Sequence, residues 1–183
     1  MIISVSRRTD IPAFNAEWFY NRLRAGYVLV RNPMNVHSVS KVALSPEVVD
    51  AFVFWTKNPL PLMKRLDEMA GYPYYFQFTL TGYGKDIEPG LPDKKQVLLP
   101  AFKELAAKIG GQRVIWRYDP IFFSSRYSAE YHLECFEALA AELSGSTERC
   151  VISFMDEYRN TKRNAQKLSA VSYSLSLIHI SEP

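Results

Sequence analysis

The sequence predicts an α/β fold in which parallel strands alternate with helices. Three observations support this prediction. Short runs of β-branched and aromatic residues alternate with longer amphipathic stretches, which is the pattern of successive βα units. The chain has 183 residues, a length that fits one domain. Hydrophobic residues make up 48% and charged residues 22%, which is ordinary for a globular protein and excludes a disordered or fibrous chain.

The first part of the chain is expected to form one βα unit and a hairpin. A brief strand at residues 2–6 precedes a helix over 15–25, with Asn15 at its N-cap. This helix is expected to turn three side chains towards the core: Trp18, Phe19 and Leu23. Residues 27–44 contain two short strand-like runs around a turn rich in Pro and Asn, which predicts a β-hairpin. A short helix is expected to begin at Ser45.

Four further strands are expected, each with a helix after it. The strand at 51–56 is almost continuously apolar, as expected for a strand that helices cover on both faces. The other strands are predicted at 74–80, 113–118 and 150–154, and the helices at 60–69, about 97–109, from Ser128 onwards, and 158–169. The helix after Ser128 is expected to place four residues on one apolar face: Leu133, Phe136, Ala140 and Leu143.

Five strands with helices between them fit two architectures, a (β/α) TIM-type barrel and a doubly wound parallel sheet. A complete barrel needs about 250 residues, so we expect residues 1–171 to be the N-terminal part of a single barrel-like domain that is truncated at its C-terminus. The last nine residues, 175–183, can be encoded by codons that resemble a transposon mosaic end running into a sequencing adapter. Residues 172–183 are therefore interpreted as an artefact rather than native sequence.

Composition and charge restrict the possible partners. With 22 Lys+Arg and 19 Asp+Glu the net charge is +3, too weak by itself to indicate nucleic acid or an anionic membrane. No apolar run approaches the roughly 20 residues that span a bilayer, and no signal peptide is recognisable. Two cysteines are too few for a disulfide framework. These features predict a cytoplasmic protein that does not bind membranes.

Polar side chains follow every predicted strand at its carboxyl end. These ends meet at one rim of a parallel α/β fold, where active sites form. The candidate catalytic residues are Asp10, Lys57 and Asp119, and the candidate binding residues are Arg7, Arg8, Asn58 and Arg117. The excess of cations predicts a small anionic ligand, because guanidinium groups bind planar anions through two parallel hydrogen bonds. The alternative is that Arg–Asp pairs, such as Arg117 with Asp10, only close the barrel mouth.

Other chemistry-bearing residues give weaker signals. His37 and His132 lack paired metal-ligand spacing, so no metal site is predicted. Cys135 and Cys150 are expected to be packed thiols. The last predicted helix carries a basic patch of Arg159, Lys162, Arg163 and Lys167. Contact with phosphate backbones is possible there, so a nucleic-acid or partner-binding domain is an alternative, although a solvated helix face is the simpler interpretation.

Six motifs point to a known family: SVSRRTDIPAF, GYVLVRNP, FVFWTKNP, YPYYFQFTLTGYGKDIEP, VIWRYDPI and CVISFMDEYRNTKRN. Over about residues 1–168 the chain resembles an uncharacterised bacterial domain-of-unknown-function family. Longer members of that family end in a cysteine group that resembles the CxxxCxxC motif of radical SAM enzymes. The resemblance implies a radical SAM-like enzyme with a 4Fe-4S cluster and S-adenosylmethionine in the full-length protein. This chain alone is then expected to bind neither and to be inactive.

The resemblance also implies roles for the rim residues. Arg7, Arg8, Lys57 and Arg117 would hold the methionyl carboxylate or an anionic substrate, while Asp10 and Asp119 would accept hydrogen bonds from an ammonium or a ribose.

A second hypothesis is a metal-free barrel hydrolase or lyase acting on a phosphorylated or carboxylated small molecule. In that enzyme Asp10 or Asp119 would be the general base.

Overall fold

A parallel β-sheet forms the centre of the fold in the computed structural model, which describes residues 1–6, 8–35, 37–155 and 170–171. Its strands are β1 (Ile2–Ser4), β4 (Ala51–Thr56), β5 (Tyr74–Thr79), β6 (Val114–Ile121) and β8 (Cys150–Phe154). Each strand pairs in parallel with the next, in the spatial order β1-β4-β5-β6-β8. The order in space is therefore the order along the chain.

The remaining elements surround this sheet. The helices are α1 (Ile11–Phe14), α2 (Ala16–Ala25), α3 (Leu60–Met63), α4 (Leu99–Ile109) and α5 (Ala129–Leu143). An antiparallel hairpin joins β2 (Tyr27–Arg31) to β3 (Val39–Ala43), and β7 (Phe123–Ser124) pairs with β9 (Ala170–Val171). Short 3₁₀ turns lie at Leu66–Met69 and Gly111–Arg113, and a π-helical turn, Lys94–Leu98, precedes α4.

Local sequence signals account for several of these boundaries. Gly26 ends α2 with φ of 75°, a left-handed conformation that glycine adopts at little cost. Ser128 begins α5, because its side chain accepts a hydrogen bond from the Tyr131 backbone N–H at 3.2 Å. Asn15 occupies the N-cap position of α2 as predicted, but it makes no side-chain capping bond there.

The longer helices pack on one side of the sheet, which we call the helix face. Ring centroids lie 5.2 Å apart for Phe54 and Phe19 of α2, 4.9 Å for Phe78 and Phe102 of α4, and 4.8 Å for Trp116 and Phe136 of α5. Phe54, Phe78 and Phe102 have no exposed surface. This aromatic layer is the hydrophobic core of the described residues.

The opposite side of the sheet, the polar face, carries the alternate residues of the same strands. Trp55 of β4 lies beside Gln77 of β5, and Thr79 of β5 lies beside Arg117 of β6. Successive side chains of a strand point to opposite faces, so these four project away from the helix face. Their position towards the carboxyl ends of the strands sets up the candidate site.

The fold is thus mixed α/β with a central parallel sheet of five strands, as the alternation of runs predicts. Such a sheet is compatible with the doubly wound alternative. Within the described ranges β1 pairs only with β4, and these strands do not close into a barrel. None of the helices in the same ranges is long and apolar enough to cross a bilayer.

Two predictions of inward-facing side chains are wrong. Trp18 is 46% exposed, because α2 buries the single stripe Ala16, Phe19, Tyr20 and Leu23, from which Trp18 is rotated away. Leu133 is 69% exposed, because the neighbouring His132 takes the inward position on α5. The His132 side chain is bonded to Tyr118 and to the Phe122 carbonyl, which explains how a polar group can be buried there.

Two predicted helices also differ from the structure. The helix expected at Ser45 is a turn, after which the backbone N–H of Asp50 bonds to the Met1 carbonyl. The helix expected over 60–69 is divided into α3 and a 3₁₀ turn, because Arg65 leaves helical geometry with φ of −137°. The predicted helix at 158–169, with its basic patch, and the tail at 172–183 lie outside the described residues.

Candidate functional site

Asp10 joins the segment after β1 to the end of β4. Its Oδ1 accepts a hydrogen bond from the Ala13 backbone N–H at 3.0 Å, which caps the short helix α1. Its Oδ2 accepts from the Thr56 hydroxyl at 3.0 Å and from the Lys57 backbone N–H at 2.8 Å. Burial raises the pKa of Asp10 above its ordinary value, although the bonds from Lys57, Thr56 and Ala13 oppose that shift.

Asn58 shapes the exit from β4. Its backbone N–H donates to the Thr56 hydroxyl at 3.0 Å, and its side-chain carbonyl accepts from the Leu60 backbone N–H at 3.2 Å. This turn ends the strand and begins α3. The structure therefore brings three predicted site residues together, with Asp10 and Asn58 both holding the chain around Lys57.

Replacing Asp10 with alanine is expected to lower the free energy of unfolding by about 1–2 kcal/mol, because a helix cap is lost and two further donors lose their acceptor. Urea denaturation monitored by circular dichroism measures the change. Asp67→Ala is the control, since Asp67 is exposed, and it should change the stability by no more than about 0.5 kcal/mol. Equal effects of the two substitutions would contradict the anchoring role of Asp10.

Lys57 belongs to a group of charged and polar side chains at and beyond the ends of β4 and β5, here called the lysine–glutamate cluster: Lys57, Thr81, Glu88 and Lys94. One carboxylate oxygen of Glu88 binds the Lys57 ammonium, and the other binds the Lys94 ammonium. The Thr81 hydroxyl donates to Glu88 at 3.1 Å. Lys94 also donates to the backbone carbonyls of Thr81 at 2.9 Å and Tyr83 at 2.6 Å.

The members of this cluster differ in their exposure to solvent. The Glu88 side chain is 7% exposed, whereas the Lys57 side chain is 40% exposed. Burial opposes ionisation of Glu88, but the hydrogen bonds and charges of Lys57 and Lys94 outweigh it, so the pKa of Glu88 lies below its ordinary value. Burial also lowers the pKa of Lys94, which the Glu88 carboxylate opposes. Glu88 is therefore an ionised carboxylate that holds both lysines, and Lys57 is the lysine with the larger solvent exposure.

Arg117 and Asp119 form a second charged group on the polar face. The Arg117 Nε donates to Asp119 Oδ1 at 3.0 Å, and its Nη2 binds Asp119 Oδ2. Its Nη1 donates to Gln77 Oε1 at 3.2 Å, and the guanidinium lies over the Trp55 ring, 4.5 Å from its centroid. The Ser153 hydroxyl adds a bond to Asp119 Oδ2 at 3.3 Å. Two carboxylate bonds and a ring therefore fix the position of Arg117.

The pairing of Arg117 with Asp10, considered as a way of closing the barrel mouth, is wrong. Arg117 pairs instead with Asp119, since residues two apart on a strand share a face. Arg8 lies on the exposed surface and donates to the Arg31 carbonyl at 2.7 Å, so its described bond links it to the hairpin rather than to the lysine–glutamate cluster. Arg7 lies outside the described residues.

Glu88 and Lys94 are functional candidates that the sequence reasoning missed. Glu88 lies in an irregular loop rich in Gly and Pro, where no periodicity predicts burial. Lys94 lies at the start of a π-helical turn and resembles an ordinary surface lysine. One sequence feature could have pointed to Glu88, namely its position before Pro89 in a loop that follows a buried strand. That feature does not show which lysines bind the carboxylate.

A protein-family model described as a domain of unknown function (DUF1848) matches residues 2–180. The chain belongs to the DUF1848 family. The match confirms the resemblance to an uncharacterised domain family. No match was found among curated proteins or among solved structures.

The DUF1848 chain offers no thiolate set for an iron–sulfur cluster. It has two cysteines, whereas such a cluster is held by three or four. Both are free thiols. Cys135 on α5 is half-buried, whereas Cys150 at the start of β8 is exposed, so the prediction of a packed thiol is wrong for Cys150. In the described part of the chain no three His, Cys, Asp or Glu residues are grouped as metal ligands. His132 is buried and bonded, as a core histidine would be.

Proposed function

We propose that this DUF1848 chain binds a small anionic molecule at the carboxyl ends of β4, β5 and β6, with Lys57 as its main cationic contact. The observation that carries the proposal is the position of the Lys57 ammonium. Glu88 holds it in place from one side, while 40% of its side chain stays open to solvent. A fixed cation loses little entropy when it binds an anion, so this arrangement favours ligand binding.

The balance of charge supports Lys57 rather than Arg117 as the main contact. In the lysine–glutamate cluster two lysines face one carboxylate, which leaves one positive charge. Arg117 is matched by Asp119, so this pair has no net charge. Three of the five N–H groups of Arg117 donate hydrogen bonds to Asp119 and Gln77. The remaining two N–H groups can still donate to a ligand oxygen.

The other rim residues take positioning roles in this proposal. Asp10 and Asn58 fix the backbone on either side of Lys57, and Asp119 orients Arg117. Every oxygen of Asp10 and Asp119 accepts a hydrogen bond, which disfavours a general-base role for either carboxylate. Trp55 provides an aromatic surface beside Arg117, against which an apolar or planar part of the ligand can pack.

The topology supports an incomplete barrel as the setting of this site. A doubly wound sheet reverses its strand order and carries helices on both faces. Here the order runs β1-β4-β5-β6-β8 without reversal, and α2, α4 and α5 contact the same face through ring pairs. In a barrel the polar face would line the interior, and ligands would bind at its carboxyl end, as proposed here.

The radical SAM-like activity inferred from longer relatives remains a proposal for proteins that carry the cysteine group. An iron–sulfur cluster would need thiolates from outside this chain, so we assign none of its residues as cluster ligands. S-Adenosylmethionine presents a carboxylate, but its ammonium and sulfonium groups give it a net positive charge, so it tests whether a single carboxylate is sufficient for binding.

Isothermal titration calorimetry with inorganic phosphate, citrate and S-adenosylmethionine tests the proposal. We expect at least one of them to bind the unmodified chain, and Lys57→Met to weaken that binding at least tenfold. Lys108→Met is the matched control, because Lys108 is 48% exposed and is also paired with a glutamate. The control should change the affinity less than twofold. Equal binding by Lys57→Met and by the Lys108→Met control, or no binding of any of the three ligands, would contradict the proposal.

A further inference from the structure

A cavity lies in the helix layer and adjoins the proposed rim site, with which it shares Thr81 and Lys94. It is a groove of about 760 Å³ between α4 and α5. Thr81 and Gly82, which follow β5, line one part of it. The volume is within the range of about 300–1,000 Å³ that is typical of small-molecule sites.

The walls of the groove are apolar side chains of the two helices. Leu99 of α4 and Leu139 of α5 both line it and belong to the hydrophobic core or pack against it. Ala138 lies beside them, exposed on α5. The small alanine side chain leaves room between the helices, so an alkyl chain placed there would lose contact with water on both sides.

The charges along the groove are mainly positive. Lys94, Lys95 and Lys103 line it together with Glu142, which gives three positive charges and one negative charge. Lys103 binds Glu142 at 2.7 Å, and Lys94 binds Glu88 of the rim site. Lys95 is exposed and has no ion-pair partner within the described ranges. Lys95 is therefore the cation that is available to an anionic group in the groove.

We propose that this groove binds an amphiphilic carboxylate, with the carboxylate at Lys95 and the alkyl chain between Leu99 and Leu139. Lys95, Leu99 and Lys103 are four residues apart and thus share one face of the helical segment. The groove walls from Lys95 to Lys103 extend about 12 Å along the helix axis. An unbranched chain of medium length with one acidic end matches both this length and the distribution of charge.

Decanoate, used below its micelle concentration, is the probe for this site. We expect calorimetry to show binding to the full chain, and both Ala138→Trp and Lys95→Glu to weaken it at least tenfold. Leu133→Trp and Lys64→Glu are the controls, because both positions are exposed and lie outside the groove lining, and both should retain the affinity within twofold. Decanol and butyrate should each bind at least tenfold more weakly, since one lacks the charge and the other most of the chain.

Alkylation of Cys135 provides a readout that needs no variant. Cys135 lines the groove, whereas Cys150 does not, so decanoate should slow the reaction of Cys135 with iodoacetamide and leave that of Cys150 unchanged. No protection, equal binding by Ala138→Trp, or equal binding by decanol would overturn the proposal. Lys57→Met should retain decanoate binding, so the failure of one site can be told from the failure of the other.

Discussion

Replacing Phe54 with alanine is expected to lower the free energy of unfolding by about 3–5 kcal/mol, the range for deleting a large aromatic side chain from a core. Phe54 has no exposed surface and lies at the centre of the helix face. Its ring contacts Phe19 of α2 at 5.2 Å and Phe76 of β5 at 5.0 Å, measured between centroids. The substitution leaves a cavity between the sheet and α2 that the surrounding rings cannot fill.

Urea denaturation of the variant and of a matched control measures this effect. Phe14→Ala removes the same side chain from a position that is 76% exposed, so it should change the stability by no more than about 0.5 kcal/mol. Comparable losses in the two variants would mean that α2 does not pack on the helix face as described.

Glu88→Gln is expected to have the second largest effect, a loss of about 2 kcal/mol near pH 7. The amide preserves the shape of the side chain but removes the charge that binds Lys57 and Lys94. Lys94 then keeps the carbonyls of Thr81 and Tyr83 as partners, which limits the loss. The same variant should also weaken anion binding, because Lys57 is no longer held at the rim.

The effect of Glu88→Gln is expected to depend on pH. The pKa of Glu88 is lower in the folded chain than its ordinary value of 4.5, so the ionised form favours folding. This stabilisation is complete well above pH 4.5 and is lost as the pH falls from there through the folded-state pKa. The difference between the variant and the unmodified chain should therefore shrink in acid, measured by urea denaturation at several pH values. Glu148→Gln, at an exposed position, should show no such trend.

The strands were predictable because their signal is local. The apolar run at 51–56 coincides with β4, and the strand predicted at 150–154 coincides with β8. Helix orientation was less predictable, since Trp18 and Leu133 have the hydrophobicity of core residues but lie just outside the buried stripes. A single sequence shows which side chains are apolar, but the width of a buried stripe depends on how closely the helix approaches the sheet.

The position of the candidate site was predictable, but the ion pairs that its side chains form were not. The rule that polar groups meet at the carboxyl ends of parallel strands anticipated the meeting of Asp10 with the segment around Lys57. The partner of Lys57 is Glu88, which comes from a loop without periodicity, so its distance from Lys57 could not be predicted. Arg117 pairs with Asp119 on its own strand, and local alternation favours this pair over the distant Asp10.

A crystal structure of the full chain with bound citrate tests the anion site most directly. We expect a citrate carboxylate within about 3 Å of the Lys57 Nζ, with Glu88 still bound to the opposite side of that ammonium and the ligand extending over Trp55 towards Arg117. Citrate found only at distant surface lysines, or a Lys57 ammonium covered by another part of the chain, would contradict this expectation.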